Sequence, residues 1–203
     1  MGFIDSDEYI VIPSNNNFSS QNSRFINYQK RIPDVLAKYE KYGGLTLNWM
    51  VFGSSGHIRN PGKQPDSREV TVIQHYHKCF RENNVKSIVN TMYVLSNGSN
   101  PHYFEYNKNF PAVDTNFKPV PFAFNPNNLA NPYEPAVIPL ETTLYDIMYI
   151  NHYNLKSRDE YAEKISRGTF SRHEYTWEFF NLVDGASRDT CEILRMPRKR
   201  RKQ

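Results

Sequence analysis

The sequence lacks several features that would assign it to a common class. Its 203 residues contain only two cysteines, Cys79 and Cys191, too few for a disulfide framework and without metal-ligand spacing. We therefore expect two buried free thiols, because free cysteine is often buried. No apolar run approaches the roughly 20 residues that span a bilayer. Asp5, Asp7 and Glu8 interrupt the first apolar stretch, which argues against a signal peptide.

Several motifs of common enzyme classes are also absent. The sequence has no nucleophile elbow, no Walker A loop, no H-E-x-x-H and no G-x-G-x-x-G. These absences argue against the commonest classes of hydrolase, NTPase, zinc protease and dinucleotide-binding protein.

Excess positive charge is confined to the C-terminus. The net charge is +4, but residues 198–202 are five consecutive basic residues, and without them 20 basic and 21 acidic residues remain. Such a run is a solvated tail or a nuclear-import or nucleic-acid patch. Because a dedicated nucleic-acid binder carries a basic face on its folded part, the neutral body predicts no nucleic-acid partner. We expect one domain over 1–195 and a basic disordered tail over 196–203.

The composition and patterning of the remaining chain predict a folded α/β domain. Hydrophobic residues make up 38% and aromatic residues 14%, unlike a disordered chain. Apolar spacing predicts strands over 9–12, 45–52, 85–89, 103–106 and 144–153, and helices over 33–42, 69–81, 157–168 and 172–183. A long irregular loop is expected over 107–139. Strands that alternate with helices indicate the α/β class.

Two patterns could bind a metal or a phosphate. Asp5 and Asp7 stand one residue apart at a strand end, where they could hold a hard divalent cation or simply cap a turn. His152 precedes the helix that Ser157 caps, with Lys156 beside it, where phosphates can bind. The local sequence does not decide between a cation site and a capped turn for Asp5 and Asp7. For His152 it favours a packed, hydrogen-bonded histidine.

Two further patterns, one at Trp49 and one at His102, are candidates for a functional role. Trp49 with the 53–57 loop could form a stacking platform, although a core tryptophan with an ordinary turn fits as well. His102 fits a strand histidine better than any functional role.

Five sequence blocks stand in the order found in a known enzyme family. They are FIDSDEYI at 3–10, LNWMVFGSSGH at 47–57, KSIVN at 86–90, PHYF at 101–104, and INHY with KS and K-x-x-R-G between 150 and 168. Together these blocks resemble glycosyltransferase family 92 and its family-2-like relatives. They cover nearly the whole chain apart from the tail and the 107–139 loop.

The resemblance implies a GT-A-like mixed sheet flanked by helices and a metal-dependent glycosyltransferase. Such an enzyme transfers a sugar from a nucleotide-sugar donor, here a UDP-sugar, to a glycan or other hydroxyl acceptor, and uses Mn²⁺ or Mg²⁺. Asp7 would bind the metal directly, Asp5 would contact the ribose or a metal-bound water, and His152 would complete the metal or diphosphate contacts. The residues implied to bind substrate are Trp49, Asn48, Ser54, Ser55, Lys156 and His102.

The general base is the least clearly matched part of the family pattern. An inverting enzyme needs a base on the acceptor hydroxyl. The family's acidic segment has no clean counterpart, but Asp66 and Glu69 lie in the right region. We favour Glu69, with His57 as the alternative.

The position of Asp5 and Asp7 departs from the family. In GT-A folds, parallel strands that hold the nucleoside precede this motif. The resemblance therefore implies a sheet that is incomplete at the N-terminus, and a chain that alone binds nucleotide-sugar poorly. The alternative is a catalytically inactive remnant that binds carbohydrate or a partner. The cytoplasm, or the periphery of a membrane, is the favoured location.

Overall fold

Strands and helices both occur along the part of the chain that the computed structural model describes, which is residues 1–2, 4–13, 31–63, 71–96, 102, 104–120, 145–168 and 175–191. This confirms the mixed α/β content. The strands are β1 (Glu8–Val11), β2 (Gly44–Phe52), β3 (Lys78–Val89), β4 (Val94–Ser96), β5 (Glu105–Tyr106), β6 (Ala112–Val113), β7 (Tyr149–His152) and β8 (Asp189–Thr190). The helices are α1 (Ile32–Leu36), α2 (Val72–His75), α3 (Arg158–Arg167) and α4 (Trp177–Ala186), with 3₁₀ turns at Ala37–Tyr39 and Pro61–Lys63.

The chain divides into two compact units. The first comprises Met1–Met50 and Arg81–Asn151, and the second comprises Val51–Phe80 and His152–Gln203. In the first unit the strand order is β1, β7, β2, β3, and β6 pairs in parallel with β2. β4 and β5 form a separate antiparallel pair in the same unit. Parallel and antiparallel pairings thus both occur.

Strand β2 supplies much of the core of the first unit. Its sequence alternates leucines with polar residues, and Leu45 and Leu47 are buried. They pack with residues of α1, β6 and β7 in one hydrophobic cluster, which consists of Val35, Tyr39, Leu45, Leu47, Val113, Met148 and Ile150. Burying side chains of this size stabilises the unit by roughly 1.5 to 3 kcal/mol each.

Helix α1 begins as its sequence predicts but is shorter. Pro33 lies in its first turn, where a missing N–H costs nothing, and Val35 and Tyr39 face the core. The glycines expected to stop the helix lie beyond its end. A Cβ at Gly43 would overlap the carbonyl oxygen of Phe110, so glycine is required there for close packing.

In the second unit, two capped helices surround a cluster of aromatic rings. Ser157 caps α3 through a capping box, and Gly168 ends it with a φ of 70°, as predicted. The ring of Tyr161 contacts the rings of Trp177 and Phe180 at centroid distances of 5.7 and 5.1 Å. Among the described residues, no helix is long and apolar enough to cross a membrane.

The predicted helix over 69–81 is wrong beyond His75. Helix α2 ends there, Tyr76 is extended, and β3 begins at Lys78. The reason is a non-local pairing, because Lys78 and Cys79 pair antiparallel with Thr190 and Asp189 of β8. A distant partner strand therefore overrides the helical spacing.

The prediction of two free thiols is also wrong. Cys79 and Cys191 form a disulfide over a sequence separation of 112 residues. The β3–β8 pairing brings both cysteines together in the second unit, and the Cys191 N–H donates to the His77 carbonyl oxygen at 2.9 Å. Spacing in the sequence does not reveal such a contact.

Other boundaries differ from the prediction by less. The strand expected over 144–153 is limited to β7, and the loop expected over 107–139 contains β6. Residues 121–139 of that loop and the 196–203 tail lie outside the described residues.

Candidate functional site

Asp5 to Glu8 form a tight turn immediately before β1. The Glu8 N–H donates to the Asp5 carbonyl oxygen at 3.0 Å, and Glu8 Oε2 accepts the Asp5 N–H at 3.0 Å. The side chain of Asp5 is 63% exposed, whereas Asp7 is half-buried. Glu8, rather than Asp5, therefore supplies the carboxylate that caps the backbone, and Asp5 faces solvent.

A buried lysine joins this turn. Lys86 on β3 is fully buried, and its Nζ donates to Asp5 Oδ2 at 2.8 Å and lies 3.3 Å from Glu8 Oε2. Burial raises the pKa of Glu8, while the Asp5 N–H and the Lys86 ammonium oppose that rise. One buried ammonium thus contacts both carboxyl groups of the turn.

The donor chemistry of the turn suits a hard divalent cation. Carboxylate oxygens are the ligands that Mn²⁺ and Mg²⁺ prefer, and a cation that also binds phosphate needs only one or two of them. Lys86 engages Asp5 Oδ2, while Asp5 Oδ1 has no partner among the described residues. Within those same residues, no three His, Cys, Asp or Glu side chains are grouped so as to hold a metal ion. Asp5 therefore presents a carboxylate oxygen that a divalent cation could contact, and Asp7 stands two residues away in the same turn.

Trp49 and His102, both predicted to bind substrate, lie together in the first unit. Their rings meet edge-on at 5.1 Å, and Trp49 also packs against the hydrophobic core, as the core interpretation predicts. His102 Nδ1 donates to the Val85 carbonyl oxygen at 3.0 Å, since a carbonyl can only accept. Burial, and secondly the charge of Lys86, lower the pKa of His102. The imidazole is therefore neutral at pH 7.

Asn48 lies inside the sheet. It is 4% exposed, and its Nδ2 has no hydrogen-bond partner among the described residues. An unsatisfied buried amide costs about 1 to 3 kcal/mol.

The 53–57 loop of the second unit uses its serines to shape the backbone. The Ser54 N–H donates to Asp184 Oδ1 at 2.7 Å, and Ser54 is buried. Ser55 Oγ accepts the N–H groups of His77 and Lys78 at 2.8 and 2.9 Å. The structure thus gives both predicted substrate-binding serines a role in fixing the loop.

His57, the alternative general base in the sequence prediction, lies in the second unit beside an open cavity. Its Nε2 lies 3.1 Å from the His75 carbonyl oxygen, which can only accept, so Nε2 donates in this contact and the neutral tautomer that fits it has its lone pair on Nδ1. Nδ1 has no partner among the described residues. An open cavity of about 460 Å³ is lined by Gly56, His57, Ile58 and Arg59. His57 is therefore beside space that a substrate hydroxyl could enter.

The elements around His57 hold it in place. The Tyr76 ring lies edge-on to the imidazole at 5.5 Å, and the His57 carbonyl oxygen accepts the Arg158 N–H at 3.1 Å. Glu160 Oε2 accepts the hydroxyl hydrogens of Tyr76 and Ser157, each at 2.6 Å. Burial and the Glu160 carboxylate raise the pKa of Tyr76, which keeps this phenol a donor.

His152 and Lys156 lie near the start of α3. His152 ends β7 and is 9% exposed, in agreement with a packed histidine. Lys156 directly precedes the Ser157 cap, is half-buried and has a φ of 57°. A left-handed conformation costs a lysine about 1 to 2 kcal/mol, and such strain is common at functional sites.

Glu69, the favoured general base, lies outside the described residues, as does Asp66. His57 is the one described residue among the predicted catalytic residues.

Lys86 is the functional candidate that the sequence analysis missed. A signal was present, because a lysine within the apolar run 85–89 must be buried and must find an opposite charge. Its partners could not be identified from that run, since Asp5 is 81 residues away.

The chain was compared with protein-family models, with curated proteins and with solved structures. No family model, no curated protein and no solved structure matches it significantly.

Proposed function

We propose that the chain is a metal-dependent glycosyltransferase of the GT-A type, or a part of one, that uses a nucleotide-sugar donor and a hydroxyl acceptor. The observation that carries the proposal is the order of five sequence blocks that resemble glycosyltransferase family 92. The exposed Asp5 carboxylate, held in a tight turn before a strand, supports it.

Asp5 and Asp7 would hold the divalent cation, with Asp7 as the direct ligand. When bound, this cation would neutralise the charge that develops on the departing diphosphate. The side chains of Asp5 and Asp7 would contribute two carboxylates from one short turn. For His152 and Lys156, which belong to the second unit, contact with the metal or the diphosphate stays a prediction from the family resemblance.

His57 is the residue proposed to take the proton from the acceptor hydroxyl. Its backbone contact fixes the tautomer with the lone pair on Nδ1, so no rearrangement is needed before proton transfer. Glu69 is the other candidate. Trp49 and His102 would contribute ring surfaces on which a sugar could pack.

Binding of Mn²⁺ in the presence of UDP tests the proposal. We expect weak binding by the full chain, detected by electron paramagnetic resonance of Mn²⁺, and loss of that binding in Asp7→Asn. Asp189→Asn is the control, because it removes one exposed carboxylate from β8, a strand to which the proposal gives no part in binding the cation. Binding that survives in Asp7→Asn, or no Mn²⁺ binding at all, would contradict the assignment of the cation to this turn.

Turnover of UDP-sugars tests the base separately. His57→Gln is expected to leave Mn²⁺ and UDP binding unchanged, because the base acts on the acceptor hydroxyl. It is expected to lower turnover by at least about a hundredfold, the usual contribution of general base catalysis. If His57→Gln turns over UDP-sugars as fast as the wild type, His57 is not the general base and Glu69 becomes the proposed base. Binding of glycans without any turnover would favour the inactive carbohydrate-binding alternative.

A further inference from the structure

Four contacts close a ring around the Asp5–Glu8 turn. Glu8 and Asp5 exchange two bonds, through the Glu8 N–H and through Glu8 Oε2. Lys86 Nζ then bridges the two carboxylates, at 2.8 Å from Asp5 Oδ2 and 3.3 Å from Glu8 Oε2. Each of the three residues therefore contacts both of the others.

The members of this ring differ sharply in burial. The side chains of Lys86 and Glu8 are 1% and 0% exposed, whereas that of Asp5 is 63% exposed. Because water does not compete for the buried groups, their positions are well defined. Two buried charges thus hold one carboxylate that reaches the solvent.

Stability alone is a poor explanation for these buried charges. Moving an ammonium and a carboxylate out of water is strongly unfavourable, and well-packed apolar side chains often stabilise a protein as much or more. A role in holding the exposed Asp5 carboxylate would explain why Lys86 and Glu8 are buried there. That carboxylate also keeps Oδ1 without a partner among the described residues.

We propose that Lys86 and Glu8 are positioning residues that fix the Asp5 carboxylate for the cation, an inference that rests on the proposed function of this turn. Lys86 holds Oδ2 and so orients Oδ1, while Glu8 holds the backbone of Asp5. Residues that orient a metal ligand commonly change metal affinity by about 10- to 100-fold when they are replaced.

The sign of the change in Mn²⁺ affinity separates this role from simple competition. If Lys86 only competed with the cation for Asp5, removing its charge would tighten Mn²⁺ binding. If Lys86 positions Asp5, its removal weakens binding although a positive charge is lost. Measuring Lys86→Met therefore discriminates between the two.

The experiment uses the full chain with Mn²⁺ and UDP as probes, followed by paramagnetic resonance and by amide hydrogen exchange. Lys86→Met leaves Glu8 buried without its cation, so the double variant Lys86→Met with Glu8→Leu removes both charges and preserves an apolar interior. The matched control is Lys63→Met with Glu163→Leu, which removes an exposed ion pair of 3.7 Å.

We expect Lys86→Met and the double variant both to exchange the amides of Asp5 and Glu8 at least about tenfold faster, and both to bind Mn²⁺ with UDP about 10- to 100-fold more weakly. The control variant should match the wild type in both measurements. Unchanged exchange would overturn the proposal, as would faster exchange with unchanged or tighter Mn²⁺ binding. A wild-type chain that takes up no Mn²⁺ would contradict the proposed function, and the exchange result alone would then decide whether Lys86 and Glu8 hold Asp5.

Discussion

The disulfide between Cys79 and Cys191 makes a strong prediction about the stability of the second unit. Both cysteines belong to this unit, and they join the start of β3 to the residue that follows β8. The pairing of these two strands involves only two residues of β8. We therefore expect the covalent link, rather than the short strand, to hold these segments together.

The size of the effect follows from the length of chain that the bond closes. For a sequence separation of 112 residues, loss of loop entropy in the unfolded chain amounts to about 16 cal/mol/K. At room temperature this corresponds to about 5 kcal/mol of unfolding free energy. With a urea dependence of about 2 kcal/mol per molar, reduction should lower the unfolding midpoint by about 2.5 M.

Tryptophan fluorescence can report on the second unit by itself. The chain has two tryptophans, and Trp177 lies in the second unit while Trp49 lies in the first. A Trp49→Phe background therefore leaves Trp177 as the single probe during urea unfolding. Cys191→Ser is preferred to a change at Cys79, because Cys79 is fully buried and its replacement would add a packing cost.

Reduced wild-type protein and Cys191→Ser should share the same lowered midpoint, and a reductant should not change Cys191→Ser further. Alkylation followed by mass measurement establishes whether the two thiols were paired before reduction. A midpoint that stays constant on reduction, in protein whose thiols were shown to be paired, would refute the entropy argument. Thiols that alkylate without reductant would refute the disulfide itself.

Two further predictions concern the capping box and the histidine beside it. Ser157→Ala should cost about 1 kcal/mol of unfolding free energy, because Ser157 Oγ accepts the Glu160 N–H that begins α3; an unchanged urea midpoint would contradict this. His75 has a pKa lowered by burial and by the nearby His57, with Glu160 opposing the shift. Its stabilising contribution is therefore present above the unfolded value of 6.5 and is lost as the pH falls below it, because the unfolded chain takes up the proton first. His75→Gln should flatten this part of the stability–pH curve, and an identical curve would rule out His75 as its source.

Elements with local signals were predicted closely. Helix α3 starts after Ser157 and ends before Gly168 because its capping box and its glycine stop act within a few residues. Strand β2 begins one residue before its predicted start, since the ends of its apolar run can be recognised in the local sequence. For these elements, local sequence and tertiary packing favour the same structure.

Elements that depend on distant partners were not predicted. The segment from Lys78 onward is a strand because β8 pairs with it, and that contact is more than a hundred residues away. The same pairing converts two expected thiols into a disulfide. Helical spacing of Ile73, Tyr76 and Phe80 indicates which residues are apolar, but it does not indicate which backbone partner they meet.

The candidate site shows the same division between local and distant information. Asp5 and Asp7 were identified because they stand one residue apart and follow an apolar stretch, whereas the ammonium that contacts Asp5 comes from β3. Lys86 interrupts an apolar run, and a buried cation requires a nearby carboxylate. That requirement limits its partners to acidic residues in or next to strands of the same sheet. Glu8 meets this condition as the first residue of β1, and Asp5 meets it because it lies three residues before Glu8. A lysine inside a buried strand can therefore direct attention to the carboxylates it must pair with, even when no single motif contains both.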